Sequence, residues 1–167
     1  MIAIRIHIIG GSGSGKSYIS GILSEKLQIP HYDLDDIFWD PQSNEYGVRA
    51  PEDERDRRLR EIISLDSWIV EGVQRSWVFP SFAAADKIVV LMVPLSVQEE
   101  RIWKRYEERI TGIVPSKKRE TLEGIHNLLA YNKDYNLKLS NLIANWDYKD
   151  KTILFQDNLD LLEYQLI

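Results

Sequence analysis

The chain has 167 residues, 44% hydrophobic and 28% charged, as expected of one globular domain with a single core. Its net charge of −5, from 21 Lys+Arg against 26 Asp+Glu, argues against direct nucleic-acid binding, which needs a dense basic surface. The absence of cysteine excludes disulfides and thiolate metal sites and suits a reducing, cytoplasmic setting.

In chain order, Ala3–Ile9 is a short isoleucine-rich run like a strand buried on both faces. Arg5 and His7 within it exclude a signal peptide or membrane span there. After a glycine-rich loop, Ile19, Ile22, Leu23 and Leu27 recur at helical spacing, and Pro30 stops the helix. His31–Leu34 reads as a short strand, followed by a loop with Pro41, Asn44 and Gly47. Pro51 suits the first turn of a helix with Leu59, Ile62 and Ile63 on one side.

Trp68–Val70 predicts a strand ending at Glu71-Gly72, and Lys87–Val93 another. A charged helix follows over Val97–Ile110, interrupted by Gly112 and Pro115. A long helix is expected over Glu120–Asn145, with Leu122, Ile125, Leu129, Leu139 and Ile143 as its apolar stripe. Thr152–Phe155 reads as a last strand and Leu159–Leu166 as a last helix. This alternation predicts an α/β fold with a parallel sheet covered on both faces, whose binding edge lies at the carboxyl ends of the strands.

The loop itself reads GGSGSGKS, and Gly10, Gly15, Lys16 and Ser17 satisfy the G-x-x-x-x-G-K-[ST] pattern of a phosphate-binding loop. Gly10, Gly11, Gly13 and Gly15 let the backbone turn successive N–H groups inward, those of Ser12 and Ser14 included. A helix starting near Lys16 points its positive end at the same anion, with Tyr18 in its first turn. Lys16 can reach the outer phosphates of a nucleotide, and the Ser17 hydroxyl can ligate magnesium. The alternative is a flexible joint, but chance matches occur in about one chain of this length in a hundred or two. The strand before the loop and the helix after it favour the phosphate site.

Three further stretches lie at the expected binding edge. HYDLDDIFW sets Asp33 and Asp35 at i and i+2, which share one face of a strand and so can point into one site; Asp36 suits a cap on the following turn. Asp35 fits the carboxylate that orients an acceptor hydroxyl and takes its proton, and Asp33 a magnesium shell. Phe38 and Trp39 suit either the core or stacking on an acceptor. WIVEGVQR ends a strand with Glu71, which could hold magnesium through water, and puts Arg75 four residues on, able to grip an anion. Arg101, Arg105 and Arg109 share one helix face, and Arg109 suits a surface ion pair. Arg101 and Arg105 can neutralise charge on a transferred group.

Together these residues resemble the adenylate-kinase-type branch of the P-loop kinases. IVEGVQR is similar to the stretch that holds an acid, a glycine and a phosphate-binding arginine there, and VPLSVQEERIWKR to the stretch with a proline and two arginines four apart. Asp33-Leu34-Asp35 is similar to the paired aspartates of shikimate and gluconate kinases. Leu34-Asp35, Phe38-Trp39 and WIVEG most closely resemble the DNA topology modulation proteins, also described as uridine-kinase-like ATPases. Glu71 stands where adenylate kinases have aspartate and Gln74 where they have proline, while the long helix offers Lys133 and Lys138 rather than arginines.

The resemblance implies a three-layer α/β/α sandwich on a five-stranded sheet of order 2-3-1-4-5. It implies one domain over 1–167, with an acceptor-binding region over about 36–64 and a short lid over about 110–120. The expected activity is phosphoryl transfer from magnesium-ATP to a hydroxyl of a small metabolite, in a monomer or homodimer. Lys16, Asp35, Arg101 and Arg105 would be catalytic; Asp33, Asp35, Trp39 and Arg75 would bind the acceptor; Ser17, Asp33 and Glu71 would serve the metal. The alternatives are a nucleoside monophosphate kinase, a nucleotide-dependent regulatory ATPase linked to DNA topology, and a plain nucleotide hydrolase.

Overall fold

In the computed structural model, which describes residues 3–116 and 120–166, β-branched runs form the sheet and the glycine-rich and acidic turns gather at one edge of it. The strands are β1 (Arg5–Gly10), β2 (His31–Asp33), β3 (Trp68–Gly72), β4 (Lys87–Leu91) and β5 (Thr152–Phe155). They form a five-stranded sheet of order β2-β3-β1-β4-β5, parallel throughout. Ile9 pairs with Gly72, Gly10 with Leu91, and Asp33 with Glu71. The glycine loop and both acidic strand ends therefore emerge side by side, at the edge where parallel sheets hold ligands.

Alternation along the strands feeds two cores. On one face Ile6, Ile8, Ile69, Val89 and Leu91 pack with Ile19, Leu23 and Leu161, from α1 (Lys16–Leu27) and α7 (Asp160–Glu163). On the other, Ile9, Trp68, Val70, Ile88 and Val90 pack with side chains of α3 (Glu52–Ile63), α4 (Phe79–Ala84) and α6 (Leu122–Asn145). Each fully buried Ile or Leu contributes roughly 1.5–3 kcal/mol.

Two ionisable residues interrupt β1. Arg5 sits at its entry and bonds Asp86 at 2.9 Å. His7 is fully buried, its Nδ1 2.8 Å from the Ser81 hydroxyl, and burial pushes its pKa down to about 3, so it stays neutral in the core.

The helices depart from the expected bounds where the signals are local. α2 (Asp35–Phe38) and α4 are too short to carry a periodic signal and were not anticipated. α5 spans Leu95–Ile110, and α6 begins at Leu122 rather than Glu120 because the Thr121 hydroxyl caps it, accepting from the Gly124 N–H at 3.0 Å. Leu122 is 57% exposed, so it leaves the expected stripe; α6 buries Ile125, Asn132, Tyr135 and Leu139. The last helix shrinks to four residues. Among the described residues Asp36 makes no capping hydrogen bond; at the start of α2 the Asp33 carboxylate instead accepts from the Asp35 N–H at 2.9 Å. Of the expected lid over 110–120, residues 117–119 lie outside the described residues.

Candidate active site

A cavity of about 1230 Å³ opens at the carboxyl edge of the sheet. Its walls come from the glycine loop, the ends of β2 and β3, α2, α5 and α6.

Ser12, Gly13, Gly15, Lys16, Ser17 and Tyr18 line it, while Gly10, Gly11 and Ser14 are buried beneath. Gly13 and Gly15 have φ of 77° and 84°, a left-handed backbone that side chains disfavour. Below the rim the Ser14 hydroxyl donates to the Gly11 carbonyl at 2.7 Å, and the Lys16 ammonium donates to that oxygen at 2.8 Å. Burial pulls the Lys16 pKa down, against the opposing pull of Glu71 and Asp35. The Ser12 N–H donates to Asn132 Oδ1 at 2.8 Å and the Ser14 N–H to Gly11 O at 3.2 Å. The expectation that the Ser12 and Ser14 N–H groups turn inward to a phosphate is therefore corrected: both are engaged by the protein.

Acidic groups form the facing wall. Glu71 is 1% exposed, and its Oε1 accepts from the Ser17 hydroxyl at 2.6 Å. His31 Nε2 stands 3.8 Å from the same oxygen, beyond hydrogen-bond reach but close enough to act through charge. Burial pushes the Glu71 carboxyl up, yet His31, Ser17 and the Lys16 ammonium outweigh it and hold the pKa below the ordinary value. Asp33 goes the other way: burial first, then the Glu71 charge, push it up to about 7.

Asp33 and Asp35 do not share a strand face, because β2 ends at Asp33 and α2 starts at Asp35. Both still line the cavity, and Asp35 Oδ1 accepts from Gln74 Nε2 at 2.9 Å. Among the described residues no three His, Cys, Asp or Glu side chains form a metal-holding group. Ser17, Glu71 and Asp33 supply hard oxygen donors at the loop, a sparse set that suits magnesium, which keeps waters and relies on substrate phosphates.

The basic side is built by α5. Arg101 donates to the Gly13 carbonyl at 3.2 Å and to Asn158 Oδ1 at 3.3 Å. Arg105 donates to the Ser12 hydroxyl at 3.0 Å, and burial lowers its pKa. Arg109 instead pairs with Glu120 at 2.7 Å. Arg75 lines the cavity with its guanidinium 5.0 Å from the Tyr135 ring centre.

Several wall residues carry no signal in the sequence. Trp39 bridges to Arg49 along the backbone, and the Arg49 guanidinium lies 5.4 Å from the Phe38 ring centre. Phe38 packs edge-on to Trp39 at 4.7 Å and parallel to Trp77 at 6.1 Å, and Arg55 lies over Trp77 at 4.7 Å. Asn132 is 1% exposed and reaches the loop from α6. Arginine next to an aromatic-rich stretch is the one available hint for Arg49; Asn132 has none.

No family model matches the chain. It is 29% identical to the Bacillus subtilis protein YqaC over 63% of its own length, and spans 58% of that protein. It is 32% identical to a cytidylate kinase of Natronomonas pharaonis, covering 80% of this chain and 73% of that one. Among solved structures, a gluconokinase of Sinorhizobium meliloti superposes with a TM-score of 0.58 at 19% identity, over 97% of this chain and 89% of that one. A shikimate kinase of Bacteroides thetaiotaomicron gives a TM-score of 0.61 at 16% identity, over 96% of this chain and 99% of that one. The structural matches establish the fold; none of these relationships reaches the narrower group of DNA topology modulation proteins. With its five-stranded parallel sheet, its GKS loop and its kinship to the cytidylate kinase, the chain belongs to the P-loop kinases, a family of phosphotransferases.

Proposed function

We propose that this chain transfers the γ-phosphoryl group of magnesium-ATP to a hydroxyl of a small anionic metabolite. One observation carries the reading: Lys16, Asp35 and Arg105 line a single cavity, so a phosphate cradle, a proton acceptor and a charge stabiliser face one space. Lys16 and the free loop amides hold the donor phosphates, while the first turn of α1 directs its positive end at them.

Asp35 orients the acceptor hydroxyl. As its oxygen bonds to the γ-phosphorus, the bond from that phosphorus to the bridging oxygen breaks, ADP departs, and the hydroxyl proton passes to Asp35. Arg101 and Arg105 offset charge spread over the transferred group. Ser17, with Glu71 and Asp33 behind it, would hold magnesium, which when bound neutralises phosphate charge. Arg75 and Arg49 are the cations for an anionic group on the acceptor, since among the described residues neither has a carboxylate partner.

A second acceptor class, a nucleoside monophosphate, is favoured by the cytidylate kinase relationship. ADP formation measured with a panel of hydroxy acids, sugar acids, nucleosides and CMP separates the two. The hydroxyl reading expects acceptor-dependent ADP from the first three groups, and loss of that increment in Asp35→Asn with ATP binding retained. Stimulation by CMP alone would move the assignment to the second class; wild-type turnover in Asp35→Asn would remove the base role.

A further inference from the structure

Ser12 carries two attachments that phosphate binding does not use. From α6, Asn132 Oδ1 accepts from the Ser12 N–H at 2.8 Å, and Asn132 Nδ2 donates to the Ser12 carbonyl at 3.2 Å. From α5, Arg105 donates to the Ser12 hydroxyl at 3.0 Å. Because one backbone partner of Asn132 is a donor and the other an acceptor, its amide has a single satisfied orientation.

That orientation is locked from behind. Asn132 Nδ2 also donates to Gln98 Oε1 at 2.9 Å, and Asn136 Nδ2 donates to the same oxygen at 3.0 Å. Gln98 Nε2 in turn donates to the Val93 carbonyl at 2.7 Å and to Asn136 Oδ1 at 3.0 Å. Gln98 and Asn132 are 0% and 1% exposed, and buried amides are costly unless so satisfied. A Cβ on Gly11 would come within 2.5 Å of Gln98 Oε1 and 2.7 Å of Asn132 Oδ1, so only glycine lets the loop lie this close.

We propose that Asn132 is a positioning residue for the donor site. It turns the Ser12 peptide toward α6, so this N–H never serves a phosphate, and it fastens the loop to the α5–α6 pair. The N–H groups of Gly13, Gly15, Lys16 and Ser17 have no protein acceptor among the described residues and remain for the anion. The inference rests on the loop being a nucleotide site.

Two measurements on the full chain test it. In the wild type, backbone amide exchange followed by NMR has Ser12 N–H slow both before and after ADP is added, while Gly13 and Lys16 slow only with ADP. Ser12 exchanging like an open-loop amide before ADP overturns the inference, whatever ADP does. In calorimetric titrations, Asn132→Leu raises the ADP dissociation constant about tenfold, the scale of one lost hydrogen bond. It also speeds Ser12 exchange, because the Oδ1 acceptor of the Ser12 N–H is gone. A folded Asn132→Leu with wild-type ADP affinity overturns the assignment. If that variant fails to fold, the wild-type exchange pattern decides. A wild type that binds no ADP sinks the nucleotide reading, and the unliganded Ser12 exchange then shows separately whether Asn132 holds the Ser12 peptide.

Discussion

The Ser17 hydroxyl donates to Glu71 Oε1 at 2.6 Å, joining the first turn after the glycine loop to the end of β3. The bond fixes the side chain assigned to the metal through a carboxylate that is itself almost wholly buried. Glu71→Gln keeps an oxygen for Ser17 but removes the charge. Turnover and magnesium affinity are each expected to fall about 10–100-fold, the usual cost of losing such a supporting group. Magnesium titrations of steady-state turnover check this; unchanged magnesium dependence would separate Glu71 from the metal.

Asp33 makes the nucleotide-free fold sensitive to pH. Its folded pKa of about 7 exceeds the ordinary 3.8, so between these values the folded state holds a proton that the unfolded chain has released. Stability contributed by this group is complete below about pH 3.8 and is lost as pH rises through about 7. Asp33→Asn should flatten the decline in melting temperature over that window and stabilise the protein most at alkaline pH. Parallel melting curves for wild type and variant across pH 4–9 would contradict the assignment.

Arg105 and Arg109 stand one helical turn apart yet have different partners. Arg105→Ala is expected to lower kcat about a thousandfold, as for an arginine that stabilises transferred charge. Arg109→Ala strands Glu120, whose side chain is 4% exposed, and should cost stability instead, about 1–3 kcal/mol, below the figure for a fully buried pair because Arg109 is 28% exposed. Denaturant melts and single-turnover rates on both variants separate the roles. A catalytic loss in Arg109→Ala equal to that in Arg105→Ala would merge them.

What the sequence made legible follows from the range of the forces involved. Isoleucine runs, GKS and the spacing of Arg101 and Arg105 are local signals, and the parallel sheet and the cavity at its carboxyl edge match what they implied, while the strand order matches what the family resemblance implied. Asp33 and Asp35 were found at the right edge, but the strand alternation used to group them stops at Asp33. Arg49, Trp77 and Asn132 reach the cavity or the loop only through chain reversals far apart in sequence, which no periodicity records. Asn132 was hidden further because a polar residue on a long helix reads as its solvent face, whereas here two other amides bury it.

The central claim is that the loop between β1 and α1 holds the phosphates of a nucleotide beside Lys16. Isothermal titration of the full chain with ATP in excess magnesium tests it most directly. The account predicts saturable one-site binding in the wild type and its loss in Lys16→Ala at an unchanged melting temperature. No heat in the wild type with either ATP or GTP, or equal binding by the variant, would contradict it.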